Sequence, residues 1–87
     1  MKERLDYIRS RLRAIYQTVT INNREYFKVN DRLYLDLVGI PDFEALVIGY
    51  ANSYEEAKNY MFEDGDLFDM ELSPDEMLKE MLKEIAA

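Results

Sequence analysis

Seven carboxylates lie between Glu63 and Glu76, and no base interrupts them. Asp64, Asp66 and Asp69 offer the hard oxygen ligands that calcium takes. A helix-loop-helix calcium loop does not fit them. With Asp64 and Asp66 at loop positions 1 and 3, position 5 is Phe68 and position 6 is Asp69, where the sharp turn requires Gly; position 12 is Asp75, where a bidentate Glu is needed. No metal site is expected.

The same carboxylates suit a second chemistry, the capture of cations on another macromolecule. Duplex DNA presents a regular row of negative charge. Carboxylates on a connector, continued at i,i+4 spacing on a helix, approximate such a row. The partner-binding set read in this way is Glu63, Asp64, Asp66, Phe68, Asp69, Glu71, Glu76 and Glu80. Leu67, Phe68 and Met70 alternate with the acids and supply apolar anchors. The competing reading is that the acids solvate a connector while these three fold back onto the core.

The first 35 residues have the opposite balance. They carry eight bases and four acids, against three bases and fourteen acids in residues 36–87; the net charge is −7. Tyr26, Phe27 and Tyr34 sit among Arg24, Lys28 and Arg32, and rings beside cations on a sheet face are what single-stranded nucleic acid needs. No glycine lies in residues 24–34 to complete the basic-Gly-aromatic strand pattern, and the net charge opposes a polyanion. A nucleic-acid partner is therefore not favoured. On the competing reading, the rings support the sheet and the arginines of the first helix neutralise the acids of the second half.

Histidine and cysteine are absent, which removes the commonest general base, metal ligand and nucleophile partner, together with disulfide and thiolate chemistry. There is no Gly-rich phosphate loop or dinucleotide fingerprint. A pair of carboxylates able to hydrolyse a glycoside can be picked from any chain with 18 acids. No catalytic residue and no cofactor is assigned, and the chain is read as a non-enzyme.

Such side chains must be held by a fold, and the patterning supplies one. Leu5, Ile8, Leu12 and Ile15 make one stripe of an amphipathic helix over residues 2–16. Thr18–Ile21, Glu25–Val29 and Arg32–Val38 alternate or are β-branched, and Asn22-Asn23 and Asn30-Asp31 separate them as turn signals. Leu33, Leu35 and Leu37 share one face; Tyr34 and Asp36 share the other, as in a half-buried strand. Glu44–Tyr50 is the most apolar strand and belongs in the interior of the sheet. Ser53 and Glu56 form a capping box that opens a second helix ending near Phe62, with Tyr54, Ala57 and Met61 on its buried side. Ser73-Pro74-Asp75-Glu76 opens a third, whose stripe is Met77, Leu78, Met81, Leu82 and Ile85, with Glu76–Lys79 and Glu80–Lys83 as exposed pairs.

The expected fold is one α+β domain over residues 1–87: an N-terminal helix, a three- to four-stranded antiparallel meander, and two C-terminal helices packed on one sheet face. Its core should include Leu5, Ile8, Leu12, Leu35, Leu46, Ile48, Ala57, Met81 and Leu82. No apolar run is long enough to span a membrane, and the basic amphipathic start lacks the apolar run of a signal peptide. The chain is read as cytoplasmic.

In element order, size and acidity it is similar to small phage-encoded inhibitors of the type II-A anti-CRISPR family. That likeness is one of layout and charge, carried by no motif. It implies acidic side chains that occupy the DNA-binding groove of a nuclease. The sequence reading is thus a small acidic module that binds a basic protein surface, as a nucleic-acid mimic or inhibitor. The alternatives are a homodimer that meets through residues 62–72 or the helix stripes, and a single-stranded nucleic-acid binder.

Overall fold

The computed structural model describes residues 2–62, 64–69 and 71–86. Helix α1 (Lys2–Ile15) leads into five strands: β1 (Gln17–Ile21), β2 (Arg24–Asn30), β3 (Leu33–Ile40), β4 (Ala45–Ala51) and β5 (Asp64–Asp69). Helix α2 (Tyr54–Lys58) lies between β4 and β5, and α3 (Pro74–Ala86) follows. The strands form one antiparallel sheet in the order β1-β2-β3-β4-β5.

Local chemistry sets the joints. Asn22 and Asn23 both take left-handed backbone angles, φ 52° and 66°. That is the two-residue turn whose twist matches a hairpin, and Asn tolerates it better than most residues. The β3–β4 connection is a single 3₁₀ turn, Pro41–Phe43, with Glu44 in the left-handed region behind it. The second hairpin turns at Asp31-Arg32, one residue later than expected, and the ladder shifts register between Lys28 and Asn30.

The strand count is five rather than three or four, because the acidic connector is itself a strand. Its Asp, Gly, Asp sequence has poor β propensity. Pairing with the apolar β4 and burial of Phe68 override that propensity, with Phe68 opposite Leu46 and Asp66 opposite Ile48.

Alternation along the strands makes two cores. On one face Phe27, Leu35, Leu37, Leu46, Ile48 and Phe68 meet Ile8 and Leu12 of α1 and Met77, Leu78, Met81 and Ile85 of α3. Leu5 and Leu82 are half-buried against this layer. Ile15 is half exposed; Tyr16 packs on the core instead. On the opposite face Ile21, Tyr26, Tyr34 and Ala51 meet Ala57 of α2. The expectation that both later helices share a face is therefore corrected. Only α3 joins α1, while α2 covers the reverse side. β3 is consequently buried on both faces, with Tyr34 and Asp36 only 5% and 4% exposed.

α2 is also shorter than its expected end near Phe62. Ser53 caps it, accepting from the Glu56 amide at 3.1 Å. It then closes in a Schellman turn: Met61 N–H bonds to the Glu56 carbonyl, Tyr60 N–H to the Ala57 carbonyl, and Tyr60 sits at φ 56°. Glycine usually fills that left-handed position, and tyrosine gives no warning of it. Ending the helix there leaves Tyr54 and Met61 exposed, so only Ala57 of the expected trio is buried.

α3 begins as its sequence indicates. Ser73 Oγ accepts from the Glu76 amide at 3.2 Å and donates to the Glu76 carboxylate at 2.8 Å. The expected Glu76–Lys79 and Glu80–Lys83 contacts are not among the ion pairs of the described residues.

Candidate functional site

The acids of the second half separate into distinct places. β5 is antiparallel to β4, and its alternation puts Asp64 and Asp66 on the helical side of the sheet, opposite Tyr50 and Ile48. The Tyr50 hydroxyl donates to Asp66. Burial, then the bond to Asp66, drives the Tyr50 phenol well above its usual range, so it stays protonated and holds that carboxylate in place. The Asp64 carboxylate folds back to accept from the Gly65 amide at 2.8 Å.

Glu84, in the last turn of α3, lines one groove with the two aspartates. Asp64, Asp66 and Glu84, with Asp31, Arg32 and Tyr50, line an open groove of about 950 Å³. Glu76, Glu80 and Glu84 repeat at i,i+4 and so share one stripe of α3. Asp75 lies on another side of the helix, where Tyr7 of α1 donates to it. The carboxylate stripe thus runs along the flank of α3 away from α1 and reaches the groove at Glu84.

The ion pairs decide how far this charge is neutralised internally. They are Arg13–Glu25 at 2.9 Å, Arg24–Asp36 at 3.2 Å and Lys28–Asp31 at 2.9 Å, all within the first 36 residues. Two further arginines of α1 engage carbonyls, Arg9 that of Leu37 and Arg4 that of Leu72. Among the described residues, none of these pairs involves Asp64, Asp66, Glu76, Glu80 or Glu84. Among the described residues no arginine of α1 forms an ion pair with an acid of the second half; the one pair that crosses between the halves is Arg24–Asp36.

The anticipated site is therefore partly assembled. Asp64 and Asp66 line one groove, whereas Glu76 and Glu80 lie on α3 outside its lining. Glu71 is exposed between β5 and α3. Glu63 and Met70 lie outside the described residues, as does the side chain of Asp69. Phe68 is corrected from partner anchor to core residue: it is 8% exposed and packs with Leu46 and Met77. The exposed apolar residue of β5 is Leu67, at 63%. Glu84 and Tyr50 were not singled out from sequence. Glu84 was within reach, since it extends the Glu76, Glu80 spacing by one step.

Leu67 points to the reverse face of the sheet, beside Val47. There α2 covers only part of the sheet. Val38, Ile40, Val47, Gly49 and Phe62 line a second, mostly apolar groove of about 290 Å³. The Phe62 ring covers Gly49 so closely that a Cβ there would sit 3.0 Å from it.

The aromatic-basic surface takes a different form from the one expected. Tyr26 and Phe27 are each 1% exposed, and with Tyr34 they offer no ring for a base to stack on. Tyr26 instead donates to the Ala57 carbonyl at 2.9 Å. Arg24 stacks on Tyr60, 4.3 Å from the ring centroid, and pairs with buried Asp36. Burial raises the Asp36 carboxyl above its ordinary range despite the pull of Arg24.

No protein-family model matches the chain, and no curated protein or solved structure matches it either. No helix among the described residues is long and apolar enough to cross a membrane.

Proposed function

We propose that this chain is a small, cytoplasmic, non-catalytic binding module whose acidic edge engages a basic surface on another protein. One observation carries the reading. Asp64 and Asp66 of β5 and Glu84 of α3 line one groove, and the ion pairs of the described residues do not include them. Unpaired charge gathered on one side steers an oppositely charged partner and costs little to expose. A nucleic-acid-binding groove on a protein is one such surface.

A fluorescent octalysine peptide tests this by anisotropy. Asp64→Asn/Asp66→Asn/Glu84→Gln should weaken binding by about tenfold, most strongly at low salt. Glu3→Gln/Asp6→Asn/Asp42→Asn removes the same net charge from exposed positions elsewhere and should change it far less. Equal losses in the two triple variants would refute a localised site.

A second reading, self-association, is favoured by a separate observation. β1, at the other end of the sheet, is an edge strand with no charged residue: Gln17, Thr18, Val19, Thr20, Ile21.

A further inference from the structure

We propose that β5 is a docking strand, and that an extended segment with alternating cationic and apolar side chains adds to its free edge as a sixth strand. The inference rests on the reading of the acidic edge as a protein-binding surface, and it specifies the local chemistry of the partner.

β5 ends the sheet, and among the described residues no strand lies beyond it. The phase of its hydrogen bonds can be followed across the sheet. The two-residue turn at Asn22-Asn23 is closed by the Ile21–Arg24 pair, so Arg24 and Tyr26 bond to β1. Phe27 then bonds to Leu35, Asp36 to Gly49, and Ile48 to Asp66. The backbone groups of Asp64, Asp66 and Phe68 therefore face β4, and those of Gly65, Leu67 and Asp69 face outward. The Gly65 amide agrees with this phase: it bonds to its neighbour's carboxylate, Asp64 Oδ1. Leu67 and Asp69 remain to extend the ladder.

The two sides of this edge differ. On the helical side stand Asp64 and Asp66, with Glu84 across the groove. On the reverse side stands exposed Leu67, opposite Val47, which lines the second groove with Val38, Ile40 and Phe62; Asp36 and Asp64 line that groove as well. Strands lie about 4.8 Å apart, and opposed Cβ atoms about 5 Å. An added strand would thus place every second side chain among carboxylates and the others against Leu67. Lys or Arg suits the first set, and Val, Ile or Leu the second. A second copy of β5 does not fit this edge, because its own aspartates would face these.

The probe is the end-blocked heptapeptide Lys-Val-Lys-Val-Lys-Val-Lys. Its controls are the isomer Val-Lys-Lys-Lys-Lys-Val-Val and the alternating peptide N-methylated at its three valines, whose amides would face β5. The alternating peptide should bind at least about tenfold tighter than either control, since both controls keep the charge and lose the ladder or the register. Amide exchange, followed residue by residue, should slow at Leu67 and not at Thr18 or Thr20 of the opposite edge.

Leu67→Pro removes one outward amide, a change an edge strand tolerates. It should abolish the preference for the alternating peptide and leave octalysine binding intact. If that variant does not fold, the N-methylated peptide on the unaltered chain still decides the question. Equal binding of all three peptides, weakened in the Asp64→Asn/Asp66→Asn/Glu84→Gln variant, would overturn strand addition and leave the acidic surface standing. Protection at Thr18 instead of Leu67 would also overturn it. Binding of none of the peptides would overturn both readings.

Discussion

At one end of the sheet β1 presents Gln, Thr, Val, Thr and Ile; at the other β5 presents three aspartates among six residues. Both are edges with unpaired backbone groups, the feature that invites another strand. Charge makes β5 selective, because a neutral or acidic strand gains little there. β1 carries no such filter. The two ends are also held differently. β1 and β2 are pinned on the α2 side by polar contacts. Asn22 donates to the Lys58 carbonyl at 3.0 Å, Tyr26 to that of Ala57, and Arg24 bridges Asp36 and Tyr60. β5 is held on the helical side, by the buried Phe68 ring under α3 and by one hydrogen bond, from Tyr50 to Asp66. A sheet can therefore end in a directional polar clamp or in a buried ring, and the second leaves the outer edge open for a partner.

The largest effect should come from removing the plug. Phe68→Ala should cost about 3–5 kcal/mol in urea unfolding, because it removes a buried ring whose site collapses only in part. Amide exchange should speed up first in β5. A loss under 1 kcal/mol would mean that β5 is held by something other than Phe68.

Breaking the clamp should cost less. Arg24→Ala strands the buried Asp36 carboxylate and should destabilise by about 2 kcal/mol at pH 7, less than for a fully buried pair because Arg24 is itself half exposed. The pH dependence has a definite sign. Asp36 has a raised carboxyl pKa in the fold, so the native state binds the proton more readily than the unfolded chain does. Its contribution to stability is fully present below the unfolded value of about 3.9 and declines as pH rises through the folded one. Arg24→Ala should deepen this decline and Asp36→Asn should remove it, as measured by melting across pH 3–7.

The smallest effect on stability should sharpen the contrast between the edges. Thr18→Lys puts a charge on β1 and should change stability by less than about 0.5 kcal/mol. Any concentration-dependent dimer seen in sedimentation should disappear with it. A dimer that survives Thr18→Lys would place self-association elsewhere.

These contrasts follow how legible each part was in the sequence. α1 and α3 could be read because their apolar residues repeat at helical spacing and because Ser73, Pro74 and Glu76 mark a start. β5 was hidden, since Asp64, Gly65 and Asp66 have no strand propensity and only β4 makes them one. The end of α2 was hidden because Tyr60 occupies a position where glycine would have been the signal. The burial of Asp36 could not be read from alternation, which gives a face but not what covers it. For the candidate site, the charge row was legible and its assembly was not. Glu84 belongs with Asp64 and Asp66 only through the tertiary packing that puts all three on one groove.

The placement of α1 has a kinetic consequence. Every strand of the meander pairs with its sequence neighbour, so the first four strands can zip through short loops, and β5 joins once the longer segment with α2 has closed. The helical layer cannot. Ile8 and Leu12 rest against Met77 and Met81, almost the whole length of the chain away. During synthesis α1 emerges before the strands and well before α3, with which it shares its core. Until α3 follows, the apolar stripe of α1 has only half of its core to rest on and stays open to wrong partners.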